Sequence, residues 1–178
     1  VLVTGAGSGV GQGIVKALRI SELPITIIGA DIDLMNAALY RTDEAILIPK
    51  VELEGSLDAL IRQINANNID IIMIGSEFEL SFFAKNKKEI KSSTKAKIIV
   101  APLKTIEIAD DKWLTIEFLK NNNLPYPETA LALNLKDALK IAANLGYPLI
   151  LKARRGTSSR NVYLVNNKED LERFYPIT

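Results

Sequence analysis

Five aliphatic runs, Val1–Val3, Ile25–Ile28, Ala45–Ile48, Ile69–Ile74 and Lys97–Val100, are largely apolar at successive rather than alternate positions. Strands of that kind must be covered on both faces, whereas a one-sided antiparallel sheet shows period-two alternation. Stretches with helical spacing lie between the runs: Val10, Ile14, Val15 and Leu18 share one face, and Leu57, Leu60, Ile61 and Ile64 another, with Ser56 placed to cap the latter helix. Helices on both sides of a mostly parallel sheet meet the demand, so the first ~105 residues are expected to form a doubly wound, Rossmann-like α/β domain.

After Ala101-Pro102 the rhythm changes. A helix is expected over 109–122, carrying Trp113, Ile116, Glu117 and Leu119 and stopped by Asn121-Asn122-Asn123 and Leu124-Pro125-Tyr126-Pro127. Thr129–Leu133 reads as a strand, Asn134 as the cap of a helix over 135–145 that stops at Gly146, and Pro148–Ala153 and Asn161–Val165 as two further strands. A last helix starts near Asn167. The reading is therefore two domains, 1–107 parallel α/β and 108–178 small α+β. Residues 1–107 carry 12 basic and 13 acidic side chains, residues 108–178 carry 10 and 8, and Lys152, Arg154, Arg155 and Arg160 crowd around Gly156.

Among 178 residues there is no histidine and no cysteine, which removes thiolate nucleophiles, Ser-His-Asp triads, disulfides and His/Cys metal ligation. Chemistry is left to carboxylates, Lys, Arg, hydroxyls and backbone. The balance of 22 basic against 21 acidic residues predicts no partner by bulk charge. Apolar runs fall far short of the ~20 residues that span a bilayer, and with no leader pattern the expected location is the cytoplasm. The chain opens on Val1 within a strand and closes just after a helical pattern, so it reads as trimmed at both ends.

The turn Thr4-Gly5-Ala6-Gly7-Ser8-Gly9-Val10-Gly11, with Asp31 about 20 residues further on, is where a dinucleotide-binding domain holds pyrophosphate and ribose. An NAD(P)-dependent oxidoreductase or epimerase is therefore one reading. Against it, Gln12 and Ile14 stand where strict Gly-x-Gly-x-x-Gly spacing needs glycine, and no tyrosine has a lysine four positions later. The alternative role of these glycines is a tight strand-to-helix turn with close packing.

Asp110-Asp111-Lys112-Trp113 is followed, forty residues after Lys112, by a Tyr147-Pro148 strand ending Lys152-Ala153-Arg154-Arg155-Gly156 and the turn Thr157-Ser158-Ser159-Arg160. This stretch resembles the entry into an ATP-grasp domain of the carbamoyl-phosphate synthase large chain type, and the N-terminal part resembles the Rossmann-like domain that precedes it. The resemblance implies an ATP-dependent carboxylate–amine or carboxylate–ammonia ligase working through an acyl phosphate. It implies that Lys112 and Lys152 hold nucleotide phosphates and that Arg155, Gly156, Thr157, Ser158, Ser159 and Arg160 close over them. Glu77 and Glu79, in a segment similar to one lining the substrate cleft, are candidates for the substrate side; Glu77 reads alternatively as a helix cap. Fixed cations and a donor-rich turn suit phosphoryl transfer, which depends on positioning and charge neutralisation.

Ser158 and Asn161 replace glycines of the family pattern and Ala153 a proline, which stiffens the turn. The resemblance assigns the Mg2+ ligands and the adenine hinge to a lobe beyond residue 178, so no metal ligand is expected here and the 178 residues alone are expected to be inactive. The expected partners are ATP and a small carboxylate, with a homodimer left open and no nucleic acid or membrane. A third reading, a nucleic-acid or protein-binding module using the Arg154–Arg160 face, is disfavoured by the balanced charge and the lack of interleaved aromatics.

Overall fold

Strands β1 (Leu2–Thr4), β2 (Ile28–Asp31), β3 (Glu44–Leu47), β4 (Ile71–Ile74) and β5 (Lys97–Ile99) pair in parallel in the order β3-β2-β1-β4-β5. Leu2 sits in register with Ile28 on one side and Ile72 on the other. Helices α1 (Gly9–Ile20), α2 (Ser56–Ala66) and α3 (Glu77–Ser93) supply crossovers, and a 3-10 turn at Ala37–Arg41 lies between β2 and β3. Alternate β1 residues feed separate clusters: Val3 packs with Val15 and Ile27, while Leu2 packs with Leu60, Ile64, Ile72, Phe83 and Ile90. Both faces of the central strands are thus covered, which is why β1 and β2 are buried at every position, whereas the edge strands β3 and β5 are largely exposed.

The computed structural model describes residues 1–156 and 160–178, and the chain divides into two units, Val1–Ile106 and Glu107–Thr178. Helix α4 (Leu103–Asp110) carries the chain across the division, and the second unit continues with α5 (Lys112–Asn121), α6 (Leu135–Leu145), β6 (Leu149–Lys152), β7 (Val162–Val165) and α7 (Lys168–Phe174). β6 and β7 form an antiparallel pair, with Leu149 opposite Val165 and Leu151 opposite Tyr163. Those four side chains face inward onto Ala138, Ala142, Leu171 and Phe174, and the Tyr163 and Phe174 rings stack at 4.6 Å. Period-two alternation then turns Ile150, Lys152, Val162 and Leu164 to the outer face.

Three local expectations need correction. The helix expected over 109–122 is broken at Asp111, which caps α5 by accepting from the Trp113 and Leu114 amides. Thr129–Leu133 is not a strand: it makes no ladder with β6 or β7, and Thr129 Oγ1 donates locally to Pro127 O. Ser56 is the first residue of α2 rather than its cap; Gly55, at φ +75°, occupies the cap position, and Ser56 Oγ donates to Val51 O. No helix among the described residues is long and apolar enough to cross a membrane.

Candidate functional site

The start of α5 is tied to the turn that follows β6. Asp111 is completely buried, and both of its carboxylate oxygens accept from Arg154 Nε at 2.8 Å. Oδ1 also accepts from the Trp113 amide at 3.0 Å and the Leu114 amide at 3.2 Å, while Arg155 Nε lies 3.5 Å from Oδ2. The Arg154 bond, reinforced by these helix-capping amides, holds the Asp111 carboxyl at about 2 against the opposing effect of burial. Two bonds run alongside: the Lys112 amide donates to Arg154 O at 3.1 Å, and Lys112 Nζ to Gly156 O at 3.0 Å.

A cavity of about 390 Å³ opens beside this junction. Lys112 and Trp113 line it from α5, Ile150 and Lys152 from β6, Thr129–Ala132 from the extended segment, and Tyr175 and Thr178 from the end of the chain. Lys112 and Lys152 therefore border one space, although forty positions separate them. Ile150, whose residue is 58% exposed, gives that space an apolar floor beside the Lys152 ammonium. Among the described residues its charged lining is Lys112, Lys152 and Arg154. Cations suit phosphate oxygens and do not suit Mg2+, which takes carboxylates and water. Among the described residues no group of three or more acidic side chains is clustered to hold a metal.

Arg155, Gly156 and Arg160 are exposed around the turn, and Thr157, Ser158 and Ser159 lie outside the described residues. Asp111 and Arg154 are the residues that sequence reasoning missed as part of this arrangement, along with the apolar and aromatic lining from Trp113, Ile150 and Tyr175. Their signal was present: an Asp pair inside an expected helix marks a cap, hence a helix start, at the second Asp.

The other candidates belong to the first unit. Glu77 opens α3 in an exposed position and does not cap it, because Ser76 holds the cap position. Glu79 is buried and accepts from Thr4 Oγ1 at 2.7 Å; burial pushes its carboxyl up, an effect the Thr4 bond opposes. Both lie just after β4, next to the β1–β4 pair where strand order reverses.

The glycine turn beside them is filled by protein. Asp31 Oδ2 accepts from the Gly7 amide at 2.9 Å and from Asn36 Nδ2 at 3.2 Å, and Oδ1 from the Ile32 amide at 2.8 Å. A Cβ on Gly7 would come within 1.3 Å of Asn36 Nδ2, so the Asn36 amide covers the turn. Gly11 and Gly75 serve packing: a Cβ on Gly11 would lie 2.3 Å from Gly5 O, and one on Gly75 would lie 2.5 Å from Thr4 O and 2.6 Å from Gly11 Cα. The acid that a dinucleotide domain directs at ribose here closes its own loop.

Residues 1–99 match the family described as PylC-like, N-terminal domain, and residues 109–176 match the RimK-like ATP-grasp domain. The carbamoyl phosphate synthase large chain of Pyrococcus furiosus is 23% identical over 92% of this chain, a stretch that is 15% of its own length. The corresponding protein of Thermotoga neapolitana is 34% identical over 43% of this chain and 7% of its own. Among solved structures, the biotin carboxylase domain dimer of Hydrogenobacter thermophilus 2-oxoglutarate carboxylase, in complex with ADP, magnesium and bicarbonate, superposes with a TM-score of 0.76 at 21% identity, covering 99% of this chain and 39% of that one. Staphylococcus aureus N5-carboxyaminoimidazole synthetase with ADP gives 0.72 at 22% identity, covering 99% of this chain and 43% of that one. The fold is theirs, and the chain belongs to the family described as PylC-like, N-terminal domain, through residues 1–99, followed by a match to RimK-like ATP-grasp sequence over residues 109–176.

Proposed function

We propose that this chain forms the phosphate-holding part of an ATP-dependent carboxylate–amine or carboxylate–ammonia ligase. The observation that carries the reading is the cavity shared by Lys112 and Lys152 within the segment that matches an ATP-grasp domain. Lys152, at the end of β6, directs a point charge at the nucleotide phosphates, and Lys112 meets them from the start of α5. Arg155, Gly156 and Arg160, with Thr157, Ser158 and Ser159 outside the described residues, are the candidates for contacts to the terminal phosphate. Ile150 offers an apolar surface to the base. In the reaction, a substrate carboxylate oxygen bonds the γ-phosphorus as the bond to the β-bridging oxygen breaks and ADP leaves. A nitrogen nucleophile then attacks the acyl carbon, and phosphate and a proton depart. Lysine charge disperses the negative charge on the transferring group.

On this reading the 178 residues by themselves hydrolyse no ATP and bind it weakly, because they supply one wall of phosphate contacts and, among those described, no metal ligand set. Calorimetric titration with Mg·ATP checks that part; tight binding would refute it. In the full-length protein, Lys152→Ala is expected to weaken ATP binding by about 1.5–3 kcal/mol, the cost of a charge-assisted contact. ATP affinity unchanged by that substitution defeats the assignment.

A further inference from the structure

Neighbouring arginines in a basic turn are chemically alike, yet Arg154 and Arg155 sit in different circumstances. Arg154 gives its Nε to both oxygens of the completely buried Asp111 at 2.8 Å. Arg155 Nε stands 3.5 Å from the same carboxylate, and its side chain is 67% exposed against 45% for Arg154. The first distance is that of a charge-assisted hydrogen bond and the second is beyond it. Asp111 also fixes the start of α5 through two amides, and the Lys112 amide closes a backbone bond onto Arg154 O. One carboxylate thus sets where Lys112 stands relative to the Arg154–Gly156 turn.

We infer that Asp111 is the positioning residue of the phosphate site: it fixes Arg154 and the start of α5, and through them the cations that border the cavity, whereas the more exposed Arg155 does not line that cavity. The inference rests on the nucleotide reading and deepens it by giving the two arginines separate roles. Asp111 itself touches no phosphate. It acts through Lys112, whose Nζ it brings to Gly156 O, and through Arg154, which borders the same cavity.

The test uses the 178-residue chain labelled with nitrogen-15, titrated separately with ATP and with adenosine, with amide shifts and melting temperature read in parallel. Asp111→Asn keeps an oxygen for the Trp113 and Leu114 amides and frees Arg154 to solvent, so α5 stays capped. It is expected to weaken ATP about tenfold, a loss equivalent to about 1.4 kcal/mol, and to leave adenosine unchanged, since only the phosphates depend on the placed cations. Arg155→Met is expected to weaken ATP less than Asp111→Asn does and to leave the melting temperature and the ligand-free Lys112, Trp113 and Leu114 amide shifts where they are. Arg154→Met, which strands a buried carboxylate, is expected to lower the melting temperature and move those amides before any ligand is added. If Asp111→Asn fails to fold, Arg154→Lys keeps a cation beside Asp111 without the Nε geometry and carries the same expectation of selective ATP weakening.

Wild-type ATP affinity in the folded Asp111 or Arg154→Lys variant, or an equal loss for ATP and adenosine, overturns the positioning role while the nucleotide reading stands. An ATP loss for Arg155→Met equal to or larger than that of Asp111→Asn overturns the division between the arginines. No ATP-dependent shift in the wild-type chain overturns the nucleotide reading and the positioning role with it.

Discussion

Glu79 and Asp111 are both buried carboxylates, yet their surroundings move their acidities in opposite directions. Glu79 loses water and gains one hydroxyl donor, so burial wins and its carboxyl is raised. Asp111 gains Arg154 and two helix-capping amides, so its carboxyl is lowered. Linkage turns each into a pH dependence. For Glu79 the folded state holds its proton more firmly than the unfolded one, so the associated stability is full below the unfolded value of about 4.3 and is lost as pH rises through the folded value. Urea unfolding of the wild type and Glu79→Gln at pH 4 and pH 7 is therefore expected to give a stability difference that favours the wild type more at pH 4. A difference that stays constant across that range would show that burial does not govern Glu79. For Asp111 the sign reverses: its contribution is present above the unfolded value of about 3.9 and is lost as pH falls towards 2. Asp111→Asn is expected to flatten the acid limb of stability there without altering the Glu79 behaviour at higher pH.

At the scale of elements, α1 shows which glycines matter and why. A Cβ on Gly11 would meet Gly5 O at 2.3 Å and Ala6 Cα at 2.8 Å, backbone atoms that cannot swing away, whereas a Cβ on Gly13 meets nothing within 4 Å. Gly11→Ala is expected to destabilise the first unit by about 1–3 kcal/mol through overpacking, and Gly13→Ala to stabilise it by about 0.5–1 kcal/mol through helix propensity. Denaturant midpoints check both, and equal effects would mean that the turn relaxes freely. The spacing of these glycines was visible in the chain itself, but whether a glycine serves a ligand or a neighbouring backbone depends on Asn36 and Gly75, which reach the turn only after folding. The parallel strands were legible because burial on both faces leaves β1 and β2 buried at every residue and apolar at most of them. Thr129–Leu133 misled because its composition suits a strand, while pairing depends on a partner strand at the right place and register, which local sequence does not encode. In the candidate site Lys112 and Lys152 were singled out by resemblance, and the structure adds that they border one cavity. The Asp111–Arg154 bond was not, because helical periodicity ran through Asp111 and concealed the cap.

For the chain as a whole, the choice is between two nucleotides that different parts of it invite. The first unit has the strand order and the glycine turn of a dinucleotide fold, but Asn36 covers Gly7 and Asp31 is held by the Gly7 and Ile32 amides and by Asn36. The second unit offers a cavity with an apolar floor and cations at its rim. A ligand that binds only the folded state stabilises it by RT ln(1 + [L]/Kd), about 1.4 kcal/mol at ten times Kd, and each kcal/mol moves the melting temperature of a chain of this size by about 2–4 °C. Millimolar ATP is therefore expected to raise the melting temperature of this chain by a few degrees, and Lys152→Ala to abolish the rise. NAD(H) and NADP(H) are expected to leave it in place, because their pyrophosphate would have to displace the Asn36 amide and break the Asp31 contacts. A rise with NAD(P)(H) and none with ATP would move the binding site to the first unit and replace the ligase reading with an oxidoreductase. A shift with neither would remove nucleotide from the function of these residues altogether.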